Sequence, residues 1–577
     1  LKIEMSADKA VIFVNFSKED ISMPIQQDVF KRSTAEVGDF VKGLRENSKR
    51  DGTFDSAAAQ DYVSTALNQN TGVKVPQELQ IVLDEAKEDL QKNQIIRAVL
   101  DSCDGYREAH GVDAPADIVE QALHNAYATT NYAKKQYSLD SADNLHHDQL
   151  SLQPNRAVVS IISTIVEACP FAHYLPADIG SNEARLAILS HQAGDKFGGY
   201  KANDLIDGIN SGEPYMLSSR LHTAMPNGSG VVTGKITAVQ TDADHCDQSA
   251  GDLKLLRGRA VVYIDGRIAA VETPTTTGSG NSPISGTITI GDTSYSITGN
   301  INTDTGAYTL NTSPALPQTV PVAVEGFIDF ERAGELTPTI ITHVDTFALY
   351  AKSARARTHL SIDSRTQMSN ELGLDPLSES VVAINAQYNN ERYYDALRKG
   401  MRLAKNNTET FDFSKAISHQ DTSRQAAWYD IGVQLNIISQ RMAEETINHG
   451  ITHIYVGKRV ASQLVGMPNT VFTPSGITAR PSIYRLGRLF NMVDVYYTPK
   501  VVQETADSAQ ILCVGRATDV ARNPIVMGDA VPPTMVPLAV NADLRQGVGY
   551  YSRNFLSVNP HDPSARGFGL IEVTNMG

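Results

Sequence analysis

Residues Ser353 to Lys405 read SARARTHLSIDSRTQMSNELGLDPLSESVVAINAQYNNERYYDALRKGMRLAK, and the rest of the chain is organised around them. Apolar residues recur at helical spacing on both sides of one joint: Leu360, Met368 and Leu372 before it, Val381, Ile384, Tyr388, Leu397 and Met401 after it. The spacing predicts one long helical element with a break. At the break Gly373 suits the left-handed closing position of the first helix, Asp375 suits capping of the second, and Pro376 suits its first helical position, where the missing N–H costs nothing. Inside a helix that proline would cost about 3 kcal/mol. A second limb of roughly 30 residues spans about 45 Å at 1.5 Å per residue, longer than a compact domain needs. Such a rod suits a backbone from which other pieces hang.

Upstream, residues 1 to about 150 are polar and helical in pattern. Leu79, Leu83, Ala86 and Leu90 follow Pro76, and Ile118, Ala122 and Ala126 follow Asp113 and Pro115, each set forming one face of an amphipathic helix. From Pro154 the run AVVSIISTIVEACPFAHYLPADI reads as entry into a core. Between about Met225 and Arg332 Gly, Thr, Ser and Asn dominate. Short alternating runs stand there at 235–239, 260–264, 287–290 and 307–310, separated by turn signals such as Asp265-Gly266 and Thr305-Gly306. This predicts a small all-β module, sandwich-like, inserted in a mainly helical chain. Pro338 to Tyr350 reads as a returning strand. After Phe411 the pattern is α+β: Ile431, Leu435, Ile438 and Met442 mark a helix, with strands expected at 451–456, 493–497, 511–514, 547–555 and 567–573.

A length of 577 residues allows a large core, and 41% hydrophobic with 20% charged residues is ordinary for a globular protein. The formal charge of −15 argues against a general nucleic-acid-binding surface, because lysine and arginine drive phosphate binding. Four scattered cysteines, with no CxxC pair, give neither a disulfide framework nor a zinc site. No run of about 18 apolar residues is present to span a membrane, and LKIEMSADKA lacks the layout of a signal peptide. Gly228 to Lys235 has five residues between its glycines, where a phosphate loop has four, and reads as a β-turn. His146-His147-Asp148 and Asp242 to Asp247 carry metal-ligand types in polar loops without the spacing of defined sites; the second could at most hold a weak calcium. No GxSxG, HExxH or GxGxxG occurs. No enzyme, cofactor or metal is expected. Trp428, the only tryptophan, reads as core more readily than as an interface anchor.

The order RARTHLSIDSRTQMSNELGLDPLSES resembles the start of the spine helix in major capsid proteins of tailed bacteriophages, especially the T-even-like branch. Further on, THIYVGKRVASQLVG, LGRLFNMVDVYYTP, AQILCVG and ARNPIVMGDAVPPTMVPLAVNADLRQGVGYYSRNFLSVNP resemble, in order, the closing segments of the same family. The resemblance covers 342–577 well and 154–185 loosely. It implies an α+β, HK-97-type capsid fold with an inserted all-β module. On that map 1–153 is an extended, largely helical N-terminal arm and 154–198 the first P-domain segment. Residues 199–350 are an E-loop region holding the insertion at about 225–332, 351–410 the spine helix, 411–530 the axial A-domain and 531–577 the closing strands. Implied with it are hexamers and pentamers of an icosahedral shell around double-stranded DNA, assembled in the host cytoplasm into a virion. Implied partners are a scaffold, a maturation protease that would cut at Leu1, a portal, and vertex or decoration proteins. Arg355, Arg357, Glu371, Glu379, Arg392 and Arg398 are candidates for contacts between subunits. A pentameric vertex paralogue, an encapsulin-like shell and, from another class, a carbohydrate-binding adhesin are the alternatives.

Overall fold

The computed structural model describes residues 23–50, 53–67, 74–86, 88–137, 153–177, 182–273, 280–372, 376–414, 424–538 and 545–576. It is α+β and divides into two units, Leu1–Ile188 with Thr346–Gly577, and Leu189–Asp345. The chain passes between them along strands Glu183–Ala193 and Ile340–Tyr350, which pair with each other.

The first unit opens with helices Met23–Asn47, Ser56–Leu67, Gln77–Glu85, Asp89–His110, Ala116–Tyr137 and Gln153–Val166. Each turns a 3.6-period apolar face inward: Val37, Phe40 and Leu44; Ile95, Val99 and Cys103; Ile118, Ala122 and Ala126; Ile161 and Ile165. These join one core with Leu397, Tyr455, Tyr496 and Phe568 from the far end of the chain. The described part of the N-terminal region is therefore a packed bundle and not the extended arm expected. Its apolar faces are satisfied within the chain, and Arg45 ties its ends by reaching Asp104 at 3.0 Å and Asp113 at 2.6 Å. The helix expected to run on through Leu90 stops at Glu85, and Leu90 is exposed at the start of the next. Gly111, at φ 72°, closes helix Asp89–His110 with its N–H on the Arg107 carbonyl.

The stretch Ser353 to Lys405 is less helical than its spacing suggests. Lys352–Ser361 is a strand, paired antiparallel along its whole length with Arg545–Val558, from Lys352 opposite Asn554 to Ser361 opposite Arg545. Ala354, Ala356, Thr358 and Leu360 alternate with Arg355, Arg357 and His359, the period of a strand. Helices Ile362–Leu372 and Pro376–Leu403 follow. The break is where the sequence puts it, with Pro376 at the first helical position; Gly373 and Asp375 lie outside the described residues. The second helix, 28 residues, is about 42 Å long.

Two sheets complete this unit. One is ordered Lys352–Ser361, Arg545–Val558, Ile525–Leu538, His173–Tyr174. The other has seven strands and mixed direction: Thr408–Asp412, Phe568–Thr574, Ser508–Val514, His453–Val456, Val493–Tyr497, Tyr484–Leu489 and Phe472–Pro474. Helix Arg424–Thr446 lays Trp428, Ile431, Leu435, Ile438 and Met442 into a core with this sheet, and helix Lys458–Val465 adds Val460 and Leu464. Trp428 is fully buried there, edge-on to Phe413 with ring centroids 6.0 Å apart.

The second unit holds one antiparallel eight-stranded sheet: Ser219–Ala224, Val322–Phe327, Val261–Ile264, Arg267–Glu272, Asn281–Ile290, Thr293–Asn302, Ala307–Ser313 and Val231–Lys235. The unit is wider than 225–332, and eight of its strands form one sheet, with Gln240–Asp242 and His245–Cys246 as a separate short hairpin, where two stacked sheets were expected. Successive hairpins from Val261 to Ser313 each extend the same ladder, so no strand crosses to a second layer. Asp265 and Gly266, both at positive φ, form the two-residue turn that pairs Ile264 with Arg267. The sheet rolls until its edge strands meet, a Cβ on Gly234 lying only 2.8 Å from the His222 ring. Val262, Ile264, Ile297, Leu310, Val322 and Val324 fill the inside.

Candidate assembly surface

Five of the six charged residues singled out in the sequence stand in solvent. Arg355 and Arg357 lie exposed on strand Lys352–Ser361, which ends the order of its sheet, so one edge is unpaired among the described residues. The Arg355 guanidinium lies 5.5 Å from the Tyr551 ring centre. Charges on such an edge discourage indiscriminate strand pairing. Glu371 is exposed near the end of helix Ile362–Leu372, and Glu379 in the first turn of the long helix. Arg398 is exposed on the long helix and lines a cleft of about 210 Å³ together with Tyr394 and Lys500. Arg392 is different. Its side chain is 14% exposed and pairs with Asp529 at 3.1 Å, over the Tyr388 ring. Burial opposes the charge, but Asp529 overcomes it and holds the guanidinium above its ordinary range. Arg392 is an internal tie and leaves the list of contacts between subunits.

A second buried network was invisible in the sequence, because its partners lie 399 residues apart. Asp117, on helix Ala116–Tyr137, accepts both oxygens' bonds from Arg516 Nη2 at 2.9 and 3.1 Å, and one from the Tyr174 N–H at 3.0 Å. His173 Nδ1 lies 3.0 Å from the same carboxylate and its Nε2 2.7 Å from the Ala517 carbonyl. Burial alone would raise the Asp117 carboxyl; Arg516, then His173, outweigh it and hold it well below the usual range. At 4% exposure this carboxylate is enclosed by its own partners. It locks the helical bundle to the sheets.

The uncovered surface is apolar in stripes. On helix Arg424–Thr446, Tyr429, Val433 and Ile437 follow at i, i+4 and i+8 and are exposed, Val433 at 56%, while Trp428, Ile431 and Leu435 face the core. Phe490 stacks on Tyr429 with centroids 5.8 Å apart and extends the stripe. On helix Gln153–Val166, Val159, Ile162 and Val166 make a second exposed row at i, i+3 and i+7. Sequence reasoning found only the core-facing row of the first helix. The outward row was legible at the same period, had both faces been read.

No protein-family model matches the chain, and no curated protein sequence matches it. Among solved structures it is similar to the capsid of jumbo bacteriophage PhiKZ, at 11% identity and a TM-score of 0.35, over 70% of this chain and 91% of that one. It is also similar to the SrpI encapsulin of Synechococcus elongatus PCC 7942, at 10% identity and 0.26, over 42% of this chain and 79% of that one. The capsid of Myoviridae phage XM1 is similar at 9% identity and 0.28, over 56% and 90%. All three likenesses are at low identity and low score.

The remaining polar motifs are used up by local structure. Gly228 and Gly230, both at positive φ, turn the chain into strand Val231–Lys235. In the 242–247 loop His245 Nδ1 lies 2.8 Å from Asp242, Asp247 accepts from Ser249, and Cys246 is buried with its thiol on the Leu221 carbonyl. His146 to Asp148 lie outside the described residues. Among the described residues no group of three or more His, Cys, Asp or Glu is placed to hold a metal ion, and no helix is long and apolar enough to cross a membrane.

Proposed function

We propose that the chain is a capsid shell protein of a tailed bacteriophage, of the T-even-like branch, whose activity is assembly with copies of itself. The observation that carries this reading is the helix Arg424–Thr446, apolar on two faces and covered on one. A helix of that kind is complete only when a second surface reaches it. A head-to-tail contact repeated between identical chains closes into rings, here hexamers and pentamers. The ordered sequence motifs from Arg355 to Pro560 support the same reading.

In this reading 351–410 is the P-domain region carrying the spine helix, 411–530 the axial A-domain, and 199–350 the E-loop region with its β insertion. Arg355, Arg357, Glu371, Glu379 and Arg398 contact neighbours. A scaffold, a maturation protease and a portal act during assembly in the host cytoplasm, and the acidic chain encloses DNA without gripping it.

The test is electron microscopy of the purified protein, made with and without its scaffold and protease, beside Val433→Asp. The wild type is expected to form shells or hexameric capsomers. The variant, with a charge set in the exposed stripe, is expected to stay unassembled with an unchanged circular dichroism spectrum. A wild type that is monomeric under every condition, or a variant that assembles as readily, refutes the proposal.

A further inference from the structure

The outer face of the β unit carries a depression that shell assembly does not require. Along strand Val322–Phe327 the side chains alternate: Val322 and Val324 point into the core, Ala323 and Glu325 outward. Register places Glu325 opposite Leu221 on one side and Ala323 opposite Tyr263 on the other. Ala323 is short where its neighbours are long, and the face sinks there. The 240–243 segment forms the rim. The hollow, about 400 Å³, lies within the size of small-molecule sites.

Its chemistry is one-sided. Tyr263 donates its hydroxyl hydrogen to Glu325 Oε2 at 2.8 Å, which leaves the carboxylate with unused acceptor capacity. Gln240, 5% exposed, lines the hollow and turns its amide nitrogen to two carbonyls, Leu221 at 3.4 Å and Ala243 at 3.2 Å. Those carbonyls fix which end of the amide is which, because only the nitrogen can donate to them. The Gln240 Oε1 lies buried behind the wall with no surface open to the hollow, so Glu325 is the acceptor that faces it. No lysine or arginine lines the hollow.

A carboxylate without a cation turns anions away, and its unused lone pairs disfavour a purely apolar guest. The floor of Leu221 and Ala323 suits a flat apolar face, and the Glu325 carboxylate stands beside it. A ring with C–H groups on one face and hydroxyl donors on its edge meets both demands. We infer that this depression binds a neutral pyranose sugar, its hydroxyls donating to Glu325 while its apolar face lies over Ala323.

The test uses the full chain, unassembled, in saturation-transfer NMR with methyl glucopyranoside, methyl galactopyranoside and N-acetylglucosamine. A polysaccharide of whichever sugar binds separates a free ligand from a chain-borne one, and n-butylamine probes for a cation site. At least one pyranoside is expected to bind and to be weakened tenfold or more by Glu325→Gln, which keeps the shape of the site. Ala323→Leu, on the solvent side of the sheet, is expected to fill the hollow and abolish binding with an unchanged circular dichroism spectrum. No transfer to any of the sugars, binding that both variants leave intact, or displacement of the sugar by n-butylamine overturns the inference.

Discussion

Replacing Arg516 by methionine tests whether the N-terminal bundle is held to the sheets by charge. The side chain is 13% exposed and donates to Asp117 twice and to the Pro170 carbonyl at 2.6 Å. Methionine keeps much of the volume and removes all three bonds. Asp117 is then left buried with His173 and the Tyr174 N–H alone. Breaking a buried pair by removing one partner costs about 3–5 kcal/mol. The loss has a pH signature. In the wild type the Asp117 carboxyl is held below its ordinary 3.8, so its contribution is present above that value and lost as pH falls through the folded one. Without Arg516 the largest opposing influence on burial is gone and the folded value rises, so the stability that Asp117 loses grows as pH rises through it. The gap between the two proteins is therefore widest near pH 7 and narrows toward pH 4. Scanning calorimetry of the unassembled chain reads it as the displacement of the transition assigned to this unit, since a chain of two units need not unfold in one step. Adding Asp117→Asn to Arg516→Met should recover part of the loss at pH 7 by removing the stranded charge. A single variant as stable as wild type at pH 7, or a loss that does not change with pH, refutes the argument.

Glu120, 6% exposed, accepts from Ser33 and Thr34 and so joins the first helix to helix Ala116–Tyr137. Burial, aided by Glu78 and Asp117 against those two hydroxyls, raises it from 4.5 to about 7. The folded chain then binds more protons than the unfolded one between those values, so stability falls as pH rises through the window, by about 3 kcal/mol in all. Glu120→Gln should flatten that slope in thermal melts from pH 4 to 8 and stabilise most at pH 8. Trp428→Ala opens a cavity in the seven-stranded unit and should cost about 3–5 kcal/mol in calorimetry, with capsomer formation lost as a consequence of the fold.

Local pattern carried much of this fold, and partners distant in sequence carried the rest. The Asp265-Gly266 turn, the Pro376 helix start and the Ile431 to Met442 face were legible because the physics acts within a few residues of the signal. The strand Lys352–Ser361 was misread because Leu360 belongs to both periods, and only its partner 545–558 decides between them. The sequence suggests an arm there because the helices are individually polar, and their apolar rows gain weight only once assembled with Leu397 and Phe568. Arg392 shows the same limit for sites. Its neighbours on the helix suggest a solvated face, and Asp529, 137 positions on, makes it an internal tie.

The molecule keeps two kinds of interaction apart. Three of its ionic ties, Asp117 with Arg516, Arg392 with Asp529 and Arg485 with Asp494, are enclosed, and the first two join residues far apart in the chain. Its exposed rows, Tyr429 to Ile437 and Val159 to Val166, are apolar and without such ties. Enclosed pairs fix one arrangement, because a wrong one leaves a charge unpaired in a dry place. Apolar rows bind by area and tolerate small changes of angle. In the shell proposed above a subunit would meet neighbours in both sixfold and fivefold rings, and that division would serve it: a body that does not change and contacts that can turn. The net charge of −15 then acts as a brake, repelling copies until enough apolar area meets at once to overcome it. On this account raised salt, which screens the repulsion and leaves the apolar contact, promotes association, and it weakens only the share of the contact that Arg355, Arg357, Glu371, Glu379 and Arg398 make.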